Sequence, residues 1–494
     1  MRIQLVFISK PQWEAGWPYL GYDNQETIDK IRNHLKDRFQ DIDFVQSEII
    51  TTHDDAVVSK IKEGIQGADG VILYTIGHYG DPGLLEAGLE ILKMGKLTIL
   101  ANAIYGGDHA FTQIYAHVKD LPLPVYPVSS RVIEDIDAPL EVLIGLSRMR
   151  DKKILVYAAD TAEFNWDVIG KLIGPEIKNI AEQYPEYIEQ IQKMQKEKFE
   201  FYVDFAGKDQ AHQWRRDEKK YKENLMKVFG IEMIRENPEE IMKYYNEVDD
   251  KDEEVIKIRD KWTNNAKRIE PSKKTILNSA KLYVAFKRLF EEKNVEIITP
   301  DCGTMLLIGK MPAYPCMPFF ELTNEGKYGI CESDLDSTIS YFLGLHLTGR
   351  PGYVSNHTFD LTKNQITYMH CVAPNKLYGL DGPAADYEIV YHGETHMLGA
   401  CPRVFFPKGE ITTTIKVSML KKKIAISQGT IIDNVDEKGG CVSKMLVETD
   451  ANKIMENYDW DTFGWHRVTF LGDWLEHFTI ASKFLGLELV VLDK

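Results

Sequence analysis

The chain has 494 residues, 44% of them apolar and 27% charged, with a formal net charge of −16 at pH 7. That length gives a prior of roughly three domains, each large enough to bury a core, and the composition is that of an ordinary globular protein. The acidic balance argues against nucleic acid and anionic lipid as partners, and no apolar run approaches the roughly 18 residues of a membrane-spanning helix.

The opening M-R-I-Q-L-V-F-I-S-K-P has one basic residue and a short apolar run. It reads as a first β-strand, Arg2–Ser9, rather than a secretory signal, so a cytoplasmic location is expected. Residues 1–150 alternate helical periodicity (Gln25–Arg38, Asp54–Gln66, Gly83–Met94) with continuous apolar runs (Gly70–Ile76, Leu97–Ala101), as buried parallel strands do. The β-α order predicts a doubly wound parallel sheet, whose ligands lie in loops at the strands' carboxyl ends. Two such loops are G-H-Y-G (Gly77–Gly80) and I-Y-G-G-D-H (Ile104–His109); neither is a dinucleotide fingerprint. The aromatic loop Pro11–Tyr22 (Trp13, Trp17, Tyr19, Tyr22) could cover a sugar face or serve packing.

Residues 151–348 form a second set. Lys153–Ala158 is a buried-strand run, followed from about Tyr187 to Asp260 by charged helices with solvated faces. Asn237-Pro238-Glu239-Glu240 predicts a capped helix start with proline at the first position. From Ser272 a long helix carries the stripe Ile276, Ala280, Tyr283, Phe286 and Phe290 into the strand Val295–Asp301. A loop with Pro312, Pro315 and Pro318 then leads to a short helix and to G-I-C-E-S-D (Gly329–Asp334). From 349 to 494 short runs with Gly and Pro turns (Tyr387–Tyr391, Val404–Phe406, Ile411–Met419, Lys423–Ile426, Cys441–Glu448) predict an antiparallel sheet or barrel, closed by a final helix and strand. The six cysteines all lie beyond residue 300 without C-x-x-C spacing, so reduced, partly buried thiols are expected.

Gly329–Cys371 concentrates the candidate chemistry. Glu332 sits between a strand and the helix Leu335–Leu347. Asn356 follows the run Pro351–Ser355, and His370 follows Gln365–Met369. Three successive segments ending in a potential oxygen or nitrogen ligand suit a metal site on rigid elements, with His466 or His477 as the far partner. Asp334 and Asp360 are further acidic candidates; each residue taken singly is more often structural.

Together these segments resemble the L-arabinose/L-fucose isomerase superfamily. The resemblance is clearest over 287–371 and 464–493. It rests on K-R-L-F-E-E-K-N-V-E-I-I-T (Lys287–Thr299), the E-x-D of Glu332-Ser333-Asp334, Thr348-Gly349, His466 before a helix, and E-L-V-V-L-D (Glu488–Asp493). It implies two Rossmann-like domains, 1–150 and 151–348, followed by a β-rich, barrel-like domain, 349–494. It also implies aldose–ketose isomerisation of a small sugar through an ene-diol, a divalent metal, most often Mn²⁺, and a homo-oligomer, trimer or hexamer. The implied metal ligands are Glu332, Asn356, His370 and His466, with Glu332 and Asn356 catalytic; His78 and Trp17 fall at positions near substrate. Asn356 stands where the family has a second carboxylate. An amide oxygen can ligate a hard cation but is uncharged and takes no proton at neutral pH. An epimerase or lyase on the same scaffold, and a sugar-binding homologue without turnover, therefore stand as alternatives.

Overall fold

The computed structural model describes the chain apart from residues 13, 15, 78–81, 160–161, 164, 195–199, 202–212 and 396, and gives the backbone alone for 162–163, 191–194 and 200–201. The class is α/β. Two compact units form: Met1–Arg150 with Glu476–Glu488, and Asp151–Leu475 with Leu489–Lys494.

In the first unit β1 (Arg2–Ser9), β2 (Asp43–Gln46), β3 (Gly70–Gly77), β4 (Thr98–Ala103) and β5 (Val125–Ser130) make one sheet. Its order is β2-β1-β3-β4-β5 and every pairing is parallel. Helices Asn24–Arg38, Asp55–Gln66, Pro82–Leu92 and Asp108–Val118 make the crossovers. Asp23 and Asp54 start the first two, each carboxylate accepting from two backbone N–H groups of the opening turn. The strand order reverses between β1 and β3, where open α/β sheets place their ligand crevice. There Gly106 and Gly107 lie against β3: a Cβ would stand 2.2 Å from Ile76 O and 2.1 Å from Thr75 O respectively, so only glycine fits.

In the second unit β6 (Lys153–Tyr157), β9 (Glu232–Glu236), β10 (Ile297–Pro300) and β11 (Tyr328–Gly329) form a parallel sheet of order β11-β10-β6-β9. Between the first two come the short β7 (Ala162–Glu163) and β8 (Glu200–Phe201), paired with each other. The helix Lys273–Lys293, capped by Ser272, buries its expected stripe, and Trp262, Tyr283, Phe286 and Phe319 build one aromatic core beside it. Pro318 lies inside the first turn of the helix Cys316–Asn324 rather than in the preceding loop; a first-turn proline loses no intrahelical bond. Pro238 precedes its helix, Glu239–Glu247, by one residue, and the Asn237 side chain still accepts the Glu239 N–H.

The remaining strands are β12 (Tyr353–Asp360), β13 (Gln365–His370), β14 (Tyr387–Val390), β15 (Cys401–Val404), β16 (Ile411–Ser418), β17 (Lys423–Asn434), β18 (Ser443–Glu448), β19 (Arg467–Leu471) and β20 (Glu488–Val491). β14 and β15 pair with each other; β15 begins three residues before the expected run at Val404. Six antiparallel pairings, β16–β19–β12–β13–β18–β17 and back to β16, close a ring, with β20 added to β17. Closure leaves no unpaired edge among the six and places the ends of β13, β12 and β19 side by side.

Candidate metal centre

Glu332 sits on a single 3-10 turn, Cys331–Ser333, between β11 and the helix Leu335–Thr348. Its backbone is left-handed (φ 65°, ψ 20°), and so is that of Ser333 (φ 46°). Two successive left-handed non-glycine residues are costly and persist only where surroundings hold them.

The ring supplies the histidines. Arg467 pairs with Ser355 and Met369 with Asn356, so His466 and His370 leave the two strands flanking β12 at the same level. Glu332 Oε1 lies 3.7 Å from His370 Nε2, and Oε2 lies 3.6 Å from His466 Nε2. One ligand atom from each of the three residues falls within 4.8 Å of the others. The imidazole rings meet edge to face at 5.6 Å.

Behind His466 stands Asp334, the N-cap of the following helix. Its Oδ1 accepts the Ser337 N–H, and its Oδ2 lies 2.9 Å from His466 Nδ1. An ionised carboxylate only accepts, so Nδ1 carries a proton, and the other ring nitrogen, Nε2, faces Glu332. Lys416, on β16, donates to Asp334 at 2.8 Å and to Ser337 Oγ at 2.6 Å; both ion-pair side chains are 2% exposed. Burial would raise the Asp334 carboxyl, but Lys416 and His466 hold it well below the usual carboxylate range. Burial likewise opposes ionisation of Glu332, and the two histidines overcome it, bringing its pKa down to about 2. His466 is raised: burial disfavours its charge, and the Glu332 and Asp334 carboxylates outweigh that.

Of the four expected ligands, Glu332, His370 and His466 come together. Asn356 lies inside β12 rather than at a strand end, because the hairpin to β13 turns only after Asp360. It is buried, its Nδ2 approaches Cys441 Sγ at 4.0 Å, and its Oδ1 has no hydrogen-bond partner among the described residues. Asp360 is no substitute: it ends β12 just before that turn, accepting from Thr362 Oγ1 and the Lys363 N–H. His346 packs on Phe342, and His477 pairs with Glu141 at 3.2 Å in the first unit. His357 packs against Phe359 and Tyr458, and burial keeps it from charging. Trp17 belongs to the first unit, where its Nε1 donates to Gly106 O at 2.8 Å. His78 lies outside the described residues. Lys416 escaped sequence reasoning, although a lone lysine in the β-branched run Ile411–Val417 is the trace it leaves.

The residues fit a divalent cation. Two imidazole nitrogens and a carboxylate are a common donor set. Two ligands about 2.1 Å from one ion can stand up to about 4.2 Å apart, which accommodates the 3.6 and 3.7 Å separations. Asn356 Oδ1 is a buried oxygen without a hydrogen-bond partner among the described residues.

No protein-family model matches the chain. It is similar to curated proteins named sulfoquinovose isomerase from Priestia aryabhattai and Priestia megaterium (strain ATCC 12872 / QMB1551), each 22% identical over 250 residues. Those residues cover 48% of this chain and 55% of each relative, so the chain spans about half the length of the curated relatives it matches.

Proposed function

We propose that the chain is a sugar isomerase that interconverts an aldose and its ketose at a divalent cation held by Glu332, His370 and His466, with Asn356 as a neutral fourth donor. The observation that carries the proposal is the convergence of those three side chains from a strand-to-helix turn and from the ends of the two strands that flank β12. The similarity to sulfoquinovose isomerases supports the same reaction class and makes an anionic sugar a first substrate to try.

A cation bound there supplies stabilisation for the negative charge that develops on the two adjacent sugar oxygens of an ene-diol. With its pKa down to about 2, Glu332 is ionised at neutral pH, and in this reading it takes the proton beside the carbonyl and returns it to the neighbouring carbon. Asp334 fixes the His466 ring through Nδ1, and Lys416 balances the charge of Asp334, so the histidine needs no reorientation as charge develops. Asn356 adds an oxygen without a charge, which leaves Glu332 as the single carboxylate of the proposed ligand set and makes Mn²⁺ affinity lower than a second carboxylate would give. A homo-oligomer, trimer or hexamer, belongs to the same proposal.

Metal analysis of the purified chain, combined with ketose formation from a panel of aldoses including sulfoquinovose, tests the reading. Ketose formation that depends on added Mn²⁺ is expected. A chain that takes up no cation and stays inert across the panel overturns it.

A further inference from the structure

We propose that Trp214 is a positioning residue for the candidate centre: its indole N–H holds the left-handed turn that aims Glu332. The inference rests on the reading of Glu332, His370 and His466 as ligands.

Glu332 reaches both histidines only because its backbone and that of Ser333 are left-handed, at φ 65° and 46°. Neither residue has the freedom of glycine, so the turn tends to relax toward right-handed values unless something anchors it. Its own residues supply little: the Asp334 N–H reaches Cys331 O at a long 3.4 Å, and Ser333 Oγ is buried without a hydrogen-bond partner among the described residues. The anchored atom is the Ser333 carbonyl oxygen, which accepts from Trp214 Nε1 at 2.8 Å. Trp214 is 119 positions away in sequence and 1% exposed.

The indole is itself clamped. Arg215 and Arg235 place their guanidinium carbons 5.1 and 5.7 Å from its ring centroid. Both guanidiniums donate to the chain just beyond β6, Arg215 to Ala159 O at 3.1 and 3.2 Å and Arg235 to Ala158 O at 3.1 Å. The same segment braces the other side of the turn: Tyr221 donates its hydroxyl to Asp336 Oδ1 at 2.9 Å. The stretch 214–221 therefore ties the end of β6 to the residues on either side of Asp334. Plain core packing accounts for a buried tryptophan; it does not account for an N–H aimed at the one carbonyl that follows the left-handed glutamate.

Partners that orient a ligand typically change metal affinity by about 10–100-fold when removed. The test is Mn²⁺ binding by calorimetry to the full chain, in the wild type, in Trp214→Phe, and in Trp214→Phe combined with Ser333→Gly. Replacement of Trp214 by benzothienylalanine, which keeps the ring outline but lacks the N–H, serves as the second probe if phenylalanine leaves the chain unfolded. Expected are roughly tenfold weaker Mn²⁺ binding in either single replacement and partial recovery in the double variant, where glycine makes the left-handed turn inexpensive to hold. A general packing defect would not be rescued by Ser333→Gly. Unchanged affinity in the Trp214 replacements beside a wild type that binds Mn²⁺ overturns the inference alone. A wild type that binds no Mn²⁺ overturns both it and the ligand reading.

Discussion

Lys416 and Asp334 are both 2% exposed, and each neutralises a charge that could not otherwise be buried. Lys416→Met leaves the buried Asp334 carboxylate with His466 as its one remaining cationic partner and is expected to cost about 3–5 kcal/mol in denaturant unfolding. Adding Asp334→Asn should restore much of that loss, because the buried charge is then gone. At Glu332 the change to Gln removes the proposed proton carrier and the one charged ligand together. Steady-state kinetics should show turnover falling by at least about 10³-fold, and calorimetry should show weaker Mn²⁺ binding. Asp336, 4% exposed, has its carboxyl raised to about 6; burial is the main cause, opposed by Lys416 and reinforced by the charge of Asp334. The sign follows from proton uptake. Between about pH 4 and 6 the folded carboxyl keeps a proton that the unfolded chain, with a pKa near 3.9, has lost, so stability falls as pH rises through that window. Unfolding measured from pH 4 to 7 should show a drop of roughly 2–3 kcal/mol from this group, and Asp336→Asn should abolish that part of the slope.

The helix Leu335–Thr348 presses on β19 through Gly344. A Cβ there would stand 2.0 Å from the Phe470 ring, with two more ring atoms within 2.7 Å. Gly344→Ala should therefore destabilise the chain by about 1–3 kcal/mol in thermal unfolding despite the better helix propensity of alanine. It should also weaken cation binding, since the same helix begins at Asp334 and β19 follows His466. The central strands β1, β3, β4, β6 and β10 were legible in sequence because burial on both faces makes them continuous apolar runs. β2, β5 and β9 were not: all three are sheet edges, half exposed, and carry Asp43, Pro127 and Glu232 in place of that signature. A barrel was one of the two forms expected for 349–494, but its strand partners were out of reach, because β19 pairs with β16 some fifty residues earlier and nothing local encodes such a contact. Glu332, His370 and His466 could be picked out because each ends or adjoins a strand; the left-handed turn, Lys416 and Trp214 could not, since their roles exist only once distant segments meet.

For the whole molecule, the first unit offers a parallel sheet with a strand-order reversal, and the second offers a parallel sheet and a closed antiparallel ring carrying the candidate ligands. Among the described residues no helix is long and apolar enough to cross a membrane. The central claim is that Glu332, His370 and His466 hold a cation at which a sugar carbonyl migrates by proton transfer. Its most direct test follows an active aldose by proton NMR in D₂O with the Mn²⁺-loaded chain, with Glu332→Gln as the control. Ketose carrying solvent deuterium at C-1 is predicted for the wild type, with no conversion by the variant. No ketose from any aldose of the panel with Mn²⁺ bound, or equal conversion by Glu332→Gln, would contradict it.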